Sequence, residues 1–222
     1  MPPKAPKGEY IETDTGNKIS RRSLIHGTQH IILGGKTVIQ SDAVIRGDLY
    51  RSSSTSTSSH SHSQSSSHAS SHKPTPSTSS ASGAASQQQQ QTPSVAITIG
   101  RYSYISRQAI LRPPSRLHRG VYAFYPLKIG DHVFVGERAV VEAASVGNHV
   151  HIGRDAVVGS MAILKDFAYV LDGAVVAPGM VVPSWCVVGG APARIVGEVG
   201  EGYGVEGAEG GMARERYRVV GR

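Results

Sequence analysis

The stretch Val146–Pro192, VGNHVHIGRDAVVGSMAILKDFAYVLDGAVVAPGMVVPSWCVVGGAP, decides the fold. Aliphatic residues recur in it every six positions without a break, at Val146, Ile152, Val158, Leu164, Val170, Val176, Val182 and Val188. Four positions after each stands a residue that is usually small: Val150, Ala156, Ala162, Ala168, Ala174, Met180, Cys186 and Pro192. Glycine often follows the aliphatic residue directly, as at Gly147, Gly153, Gly159 and Gly189. A step of six matches neither the period of a helix nor the strict alternation of a half-buried strand. It matches a parallel β-solenoid in which each hexad supplies one short strand and one corner, three hexads closing a triangular coil of about eighteen residues. The aliphatic and small residues then point inward, β-branched side chains suit the flat walls, and glycine is expected to supply the corner angles that a Cβ resists.

Working outward, Ile129, Val135 and Val141 extend the series, with Val133, Ala139 and Ser145 at the small position, if the unit Val141–Ser145 is one residue short. Further upstream Leu33, Ile39 and Ile45, then Ile99, Ile105 and Leu111, repeat the step on either side of residues 52–94. Those intervening residues are almost all Ser, Thr, His, Gln, Ala and Pro, with Lys73 as their only Lys or Arg and no acid. Lacking any aliphatic residue larger than Ala, they cannot offset the entropy of ordering and read as a disordered insertion. The expected organisation is an N-terminal cap with the first coils at 1–51, the insertion at 52–94, the remaining coils at 95–196, and a Gly-rich tail at 197–222. Tyr10–His30 is expected to cover the first coil, and the tail to hold too little apolar surface to cap the last one.

Used as a ruler, the coil stacks Ile129, Val146, Leu164 and Val182 in one column, and His132, His149, Phe167 and Trp185 in a second. Glu137, Arg154 and Asp172 alternate in sign along an edge, and Arg138 lies over Asp155. Such ladders fix the register of stacked strands. Composition narrows the function. One cysteine, Cys186, rules out an internal disulfide framework or a multi-cysteine metal site and fits a reducing compartment. No apolar run reaches the length of a membrane span, and the start MPPKAPKGEY lacks the apolar centre of a signal peptide. The net charge of +7 is dispersed and accompanies no nucleic-acid reader motif, so nucleic acid is not expected as a partner.

The segment Ile45-Arg46-Gly47-Asp48-Leu49, followed by Ile97-Thr98-Ile99-Gly100, resembles the signature of the gamma-class carbonic anhydrase-like hexapeptide proteins. That resemblance implies an all-β, left-handed parallel β-helix of hexapeptide repeats. It also implies three zinc histidines, and the matching positions hold Arg112, Glu137 and Glu142 instead. An Arg and two Glu cannot form an open imidazole site, so no metal, cofactor or catalytic residue is expected. A narrower resemblance rests on Tyr10–Lys18, on the Arg-Gly-Asp-Leu corner, and on the loop Arg112–Leu127 that leads into IGDHVFV. On these residues the chain resembles the dynactin subunit five family. The resemblance implies a non-enzymatic scaffold of the pointed-end complex in the cytoplasm and cytoskeleton, supporting dynein-based transport. The implied partners are dynactin subunit six as sister β-helix, the pointed-end actin-related protein, and dynein adaptors and cargo.

The loop Arg112–Lys128 interrupts the hexads and mixes cations with aromatics, the side chains that most often anchor protein interfaces. Arg112, Arg116, Arg119, Tyr122, Phe124 and Tyr125 are its candidate partner-binding residues. Two enzymatic readings remain beside the scaffold. A relocated metal site around His132, His149 or His151 would make the chain a lyase. The ending Gly189-Gly190-Ala191-Pro192-Ala193-Arg194 resembles that of hexapeptide acyltransferases, although it closes β-helices generally.

Overall fold

The computed structural model describes residues 8–50, 95–118, 120–200 and 211–220, all within one compact unit. The insertion at 52–94 and Arg119 lie outside the described residues. The hexads build three parallel sheets that form the walls of a triangular β-helix. Face one is made of Lys18–Ser20, Val38–Ile39, Tyr104–Ile105, Phe134–Val135, His151–Ile152, Tyr169–Val170 and Cys186–Gly189. Face two is made of Leu24–His26, Val44–Arg46, Ile110–Leu111, Val140–Val141, Val157–Val158 and Val175–Val176. Face three is made of Ile31–Leu33, Ile97–Ile99, Leu127–Ile129, Ser145–Val146, Ile163–Leu164 and Val181–Val182. Leu33 pairs with Ile99, Ile39 with Ile105 and Ile45 with Leu111, so coils on the two sides of the insertion stack directly. Ile129 pairs with Val146, which places the one-residue deletion in the unit Val141–Ser145.

The second residue of each short strand and the small residue before it fill the core. Ile152, Ala156, Val158, Ala162, Ala168, Val170, Ala174 and Val176 have no exposed surface. Full burial of one such Val, Leu or Ile contributes about 1.5–3 kcal/mol, so the column of rungs supplies the bulk of the stability. Pro192 departs from the series: it is exposed, and Ala193 takes the buried place.

Glycine supplies the corner angle at Gly173 (φ 68°) and Gly179 (φ 71°), and residues with a Cβ supply it at most other corners. Lys36, Asp42, Tyr102, Gln108, His132, Arg138, His149, Asp155, Met161, Phe167 and Trp185 carry the left-handed angles, with φ between 51° and 64°. Each lies three positions after a core aliphatic residue. The amide of each such residue donates to the coil before it: His149 to the Asp131 carbonyl at 2.9 Å and Phe167 to that of Asn148 at 2.9 Å. The glycines after the aliphatic residues answer to close approach instead. A Cβ on Gly136 would sit 2.6 Å from the Arg154 nitrogen, and one on Gly153 would sit 2.5 Å from that of Asp172.

Both ends differ from the expectation as well. Tyr10–His30 is largely a coil of its own, because Lys18–Ser20, Leu24–His26 and Ile31–Leu33 pair in parallel with the next rungs. A 3-10 turn at Thr28–His30 lengthens that coil and hides its phase. Only Tyr10–Glu12 turns back, antiparallel on Lys18–Ser20. At the other end Arg194–Glu198 lies antiparallel on Cys186–Gly189. The tail also contains a helix, α1 (Gly211–Val219), that rests on face one near the N-terminus. Lys18 Nζ donates to the carbonyls of Tyr217 (3.0 Å) and Val220 (2.5 Å), where the negative end of the helix dipole favours a cation. The Tyr217 hydroxyl donates to the Gly16 carbonyl at 2.7 Å.

Candidate interaction surface

Between Ile110–Leu111 on face two and Leu127–Ile129 on face three the chain leaves the coil as an antiparallel hairpin, Ser115–His118 with Val121–Phe124. Its base is pinned by Ser160, whose hydroxyl accepts from the Ser115 amide (3.1 Å) and donates to its carbonyl (2.9 Å). Ser115 pairs with Phe124 and Leu117 with Tyr122, so period-two alternation sets these four on one side and Arg116 on the other. Leu117 is 58% and Tyr122 68% exposed. Phe124 and Tyr125 are half-buried, and Arg116 is exposed.

Arg112 stands at the foot of this hairpin and is engaged within the chain. Its Nε donates to Glu142 Oε1 at 2.6 Å, and a second guanidinium nitrogen contacts the same carboxylate. Two of the three positions that would carry zinc ligands thus form an ion pair. Glu137 stands at the opposite corner of face two, in a groove of about 450 Å³ with Gln40, Tyr104, Ser106, Arg107, Phe134, Arg154 and Arg216. Among the described residues no group of three or more His, Cys, Asp or Glu is arranged to hold a metal ion. His132, His149 and His151 are members of aromatic stacks. One runs Tyr102, His132, His149, Phe167, Trp185, with centroid spacings of 5.3, 4.7, 4.9 and 4.1 Å. The other runs Tyr104, Phe134, His151, Tyr169, at 5.7, 4.7 and 4.3 Å. Burial, and then the nearby Arg216 guanidinium, push His151 down to about 4, which keeps it neutral at ordinary pH.

Outward-facing residues make the three faces unlike one another. Face one presents the second aromatic stack, covered in part by α1, with Arg216 lying 4.1 Å over the Phe134 ring. Face three presents Ile32, Thr98, Lys128, Ser145, Ile163 and Val181, polar at its centre. Face two presents Leu24, Val44, Ile110, Val140, Val157 and Val175, six directly paired rungs without a polar residue. Leu24 is 55%, Val157 37% and Val175 36% exposed. Two positions before the stripe run the ion pairs Arg22–Asp42 (3.1 Å) and Arg138–Asp155 (2.6 Å); two positions after it run Arg112–Glu142 and Arg46, the last paired with Asp48 (2.7 Å). The guanidiniums hold Asp48 and Asp155 below the usual carboxylate range. The stripe escaped the sequence reading, although the coil ruler contains it: it is the residue just before the core aliphatic in every third hexad.

These features coincide with a family. The sequence profile of dynactin subunit 5 matches residues 4–73 and 91–205. The chain belongs to the dynactin subunit 5 family. The match enters the Ser- and His-rich stretch from both sides and passes beyond Val196. Dynactin subunit 5 of Dictyostelium discoideum is 32% identical over 142 residues, 64% of this chain and 49% of that protein, so the chain spans about half the length of the curated relative it matches. Among solved structures, a hexapeptide transferase family protein from Anaplasma phagocytophilum aligns with a TM-score of 0.54 at 15% identity, covering 91% of this chain and 90% of that one. AntD, an N-acyltransferase from Bacillus cereus, aligns with a TM-score of 0.55 at 12% identity, covering 90% and 88%. At such identities the likeness concerns the fold alone, which is the left-handed parallel β-helix of hexapeptide repeats.

Proposed function

We propose that this chain is a non-enzymatic scaffold subunit of the dynactin pointed-end complex. In that role it pairs with dynactin subunit six as a sister β-helix, contacts the pointed-end actin-related protein, and helps dynein adaptors and cargo engage during transport along microtubules. Its place is then the cytoplasm and the cytoskeleton; no helix among the described residues is long and apolar enough to cross a membrane. Family membership over both segments is the observation that carries the reading. The Arg112–Glu142 ion pair adds to it, because a guanidinium clamped to a carboxylate occupies the ground on which imidazoles would have to gather around zinc.

Partner contact falls to the hairpin and its foot, through Arg112, Arg116, Arg119, Tyr122, Phe124 and Tyr125. The exposed Tyr122 and Leu117 fit that role best, since apolar side chains held on a pinned hairpin lose little freedom on binding. The test is co-expression with dynactin subunit six followed by size-exclusion chromatography. The reading expects one co-eluting complex, weakened by alanine at Tyr122, Phe124 and Tyr125 together, with an unchanged circular dichroism spectrum. Two separately eluting proteins would defeat it. Metal analysis of the untagged chain is expected to find far less than one zinc per chain, and a stoichiometric metal would reopen the enzymatic alternative.

A further inference from the structure

We infer that the outer surface of face two is the docking surface for the sister β-helix, with Leu24, Val44, Ile110, Val140, Val157 and Val175 as its apolar centre. The inference rests on the scaffold reading and adds to it the face that meets the partner. Each of the six residues is the outward member of a strand and is paired directly with the next, so the stripe runs the length of the wall without a step. A monomeric surface seldom keeps so long a contiguous apolar strip, and a strip rimmed by charge is the arrangement interfaces show.

The chemistry of the occupant follows from the rim and from the area. Among the described residues, each Arg, Asp or Glu two positions from the stripe is paired within the chain, Arg22 with Asp42, Arg138 with Asp155, Arg46 with Asp48 and Arg112 with Glu142, so the immediate rim asks for no partner of one strong sign. A ligand of one strong sign, such as nucleic acid or an acidic peptide, therefore gains little here. A flat apolar wall gains most. Rungs about 4.8 Å apart give six of them a length near 29 Å, and six residues of chain span at most about 20 Å, so one face offers on the order of 500 Å². Only a partner of equal flatness uses all of it, and two such walls together bury on the order of 1,000 Å², the lower bound of a specific interface. A second parallel β-helix, with the same rung spacing, meets that description, and the pinned hairpin at the edge of the face extends the contact through Leu117 and Tyr122. The other faces fit less well: face one is covered in part by α1, and face three is interrupted by Thr98, Lys128 and Ser145.

The experiment compares three full-length chains, each co-expressed with dynactin subunit six: the native chain, Val140→Asp with Val157→Asp on face two, and Ile163→Asp with Val181→Asp on face three. Circular dichroism and melting establish that each is folded, and Val140→Thr with Val157→Thr serves as a milder pair that keeps strand propensity. The inference expects affinity to fall at least about tenfold for the face-two Asp pair, less for the Thr pair, and to stay within about twofold for the face-three pair. If the native chain binds subunit six and the folded face-two pairs bind equally well, the scaffold reading stands and this docking surface is wrong. If the native chain fails to bind subunit six, the scaffold reading itself falls. A dimer of the chain alone that persists in the presence of subunit six and dissolves with the face-two substitutions overturns the sister β-helix as occupant.

Discussion

Faces one and two of the β-helix start from the same hexad and end as opposite surfaces. Each lays down one outward residue per rung. On face one these include Tyr104, Phe134, His151 and Tyr169, whose rings stack and receive α1 through Arg216 over Phe134, while Tyr217 anchors the helix on the Gly16 carbonyl. On face two they are aliphatic, Leu24, Val157 and Val175 exposed and Val44, Ile110 and Val140 half-buried, between columns of internal ion pairs. The repeat fixes only what points inward, so the outward position is free to vary by face. One wall is covered in part by the chain itself, and the other carries an aliphatic stripe along its length.

The sharpest way to break this comparison uses neighbouring residues. Val158 points into the core and Val157 outward from face two. Val158→Asp buries an uncompensated carboxylate and is expected to cost several kcal/mol, enough to unfold the chain in a denaturant titration. Val157→Asp is expected to cost less than about 1 kcal/mol, because water reaches the new carboxylate. Equal losses for the two would mean that face two is packed rather than presented.

A second prediction sharpens the account of face one. His151 is half-buried between Phe134 and Tyr169 and protonates only at about 4 in the folded chain. The unfolded chain protonates at its ordinary value of about 6.5. Between these values the unfolded state holds the extra proton, so stability falls as pH drops from about 6.5 to about 4, by up to about 3 kcal/mol. His151→Phe should keep the stack and remove this slope, read as a flattened dependence of the urea midpoint on pH. An unchanged slope between these values would place the acid sensitivity elsewhere than in His151; Asp172, which the Arg154 amide and guanidinium hold below the usual carboxylate range, loses its contribution only at lower pH.

The smallest effect concerns α1. Tyr217→Phe removes the hydroxyl that donates to the Gly16 carbonyl and is expected to cost about 0.5–1.5 kcal/mol, since a typical hydrogen bond contributes no more. Faster hydrogen exchange at Tyr104 and Phe134 should accompany it, with face-two amides unchanged. Equal acceleration on both faces would mean that α1 stabilises the whole helix rather than covering one wall.

The walls were legible in the sequence because a β-helix repeats in chain order, so spacing alone stacks Leu164 on Val146 and Phe167 on His149. The origin of the corner angles was not. Glycine suggests a left-handed φ, yet Gly153 is required because the next coil passes 2.5 Å from where its Cβ would be, while Asp155 takes the positive φ. The first coil was hidden by the 3-10 turn at Thr28–His30, which shifts the step between Ile25 and Leu33. Helix α1 was hidden by the glycines and glutamates before it, which dilute a short segment whose anchors, Arg216 and Tyr217, find partners distant in sequence. At the candidate site the hairpin was legible as a break in the hexads. The aliphatic stripe was present but unread, because attention to inward positions passes over the residue just before each of them.

The most direct measurement is quantitative mass spectrometry of dynactin purified through a different subunit from cells that express this chain at its native level. The account predicts that the chain is recovered at a ratio near one to dynactin subunit six, and that both are lost together when Val140 and Val157 are replaced by Asp. A purified dynactin that contains subunit six at its usual amount and none of this chain would contradict the account.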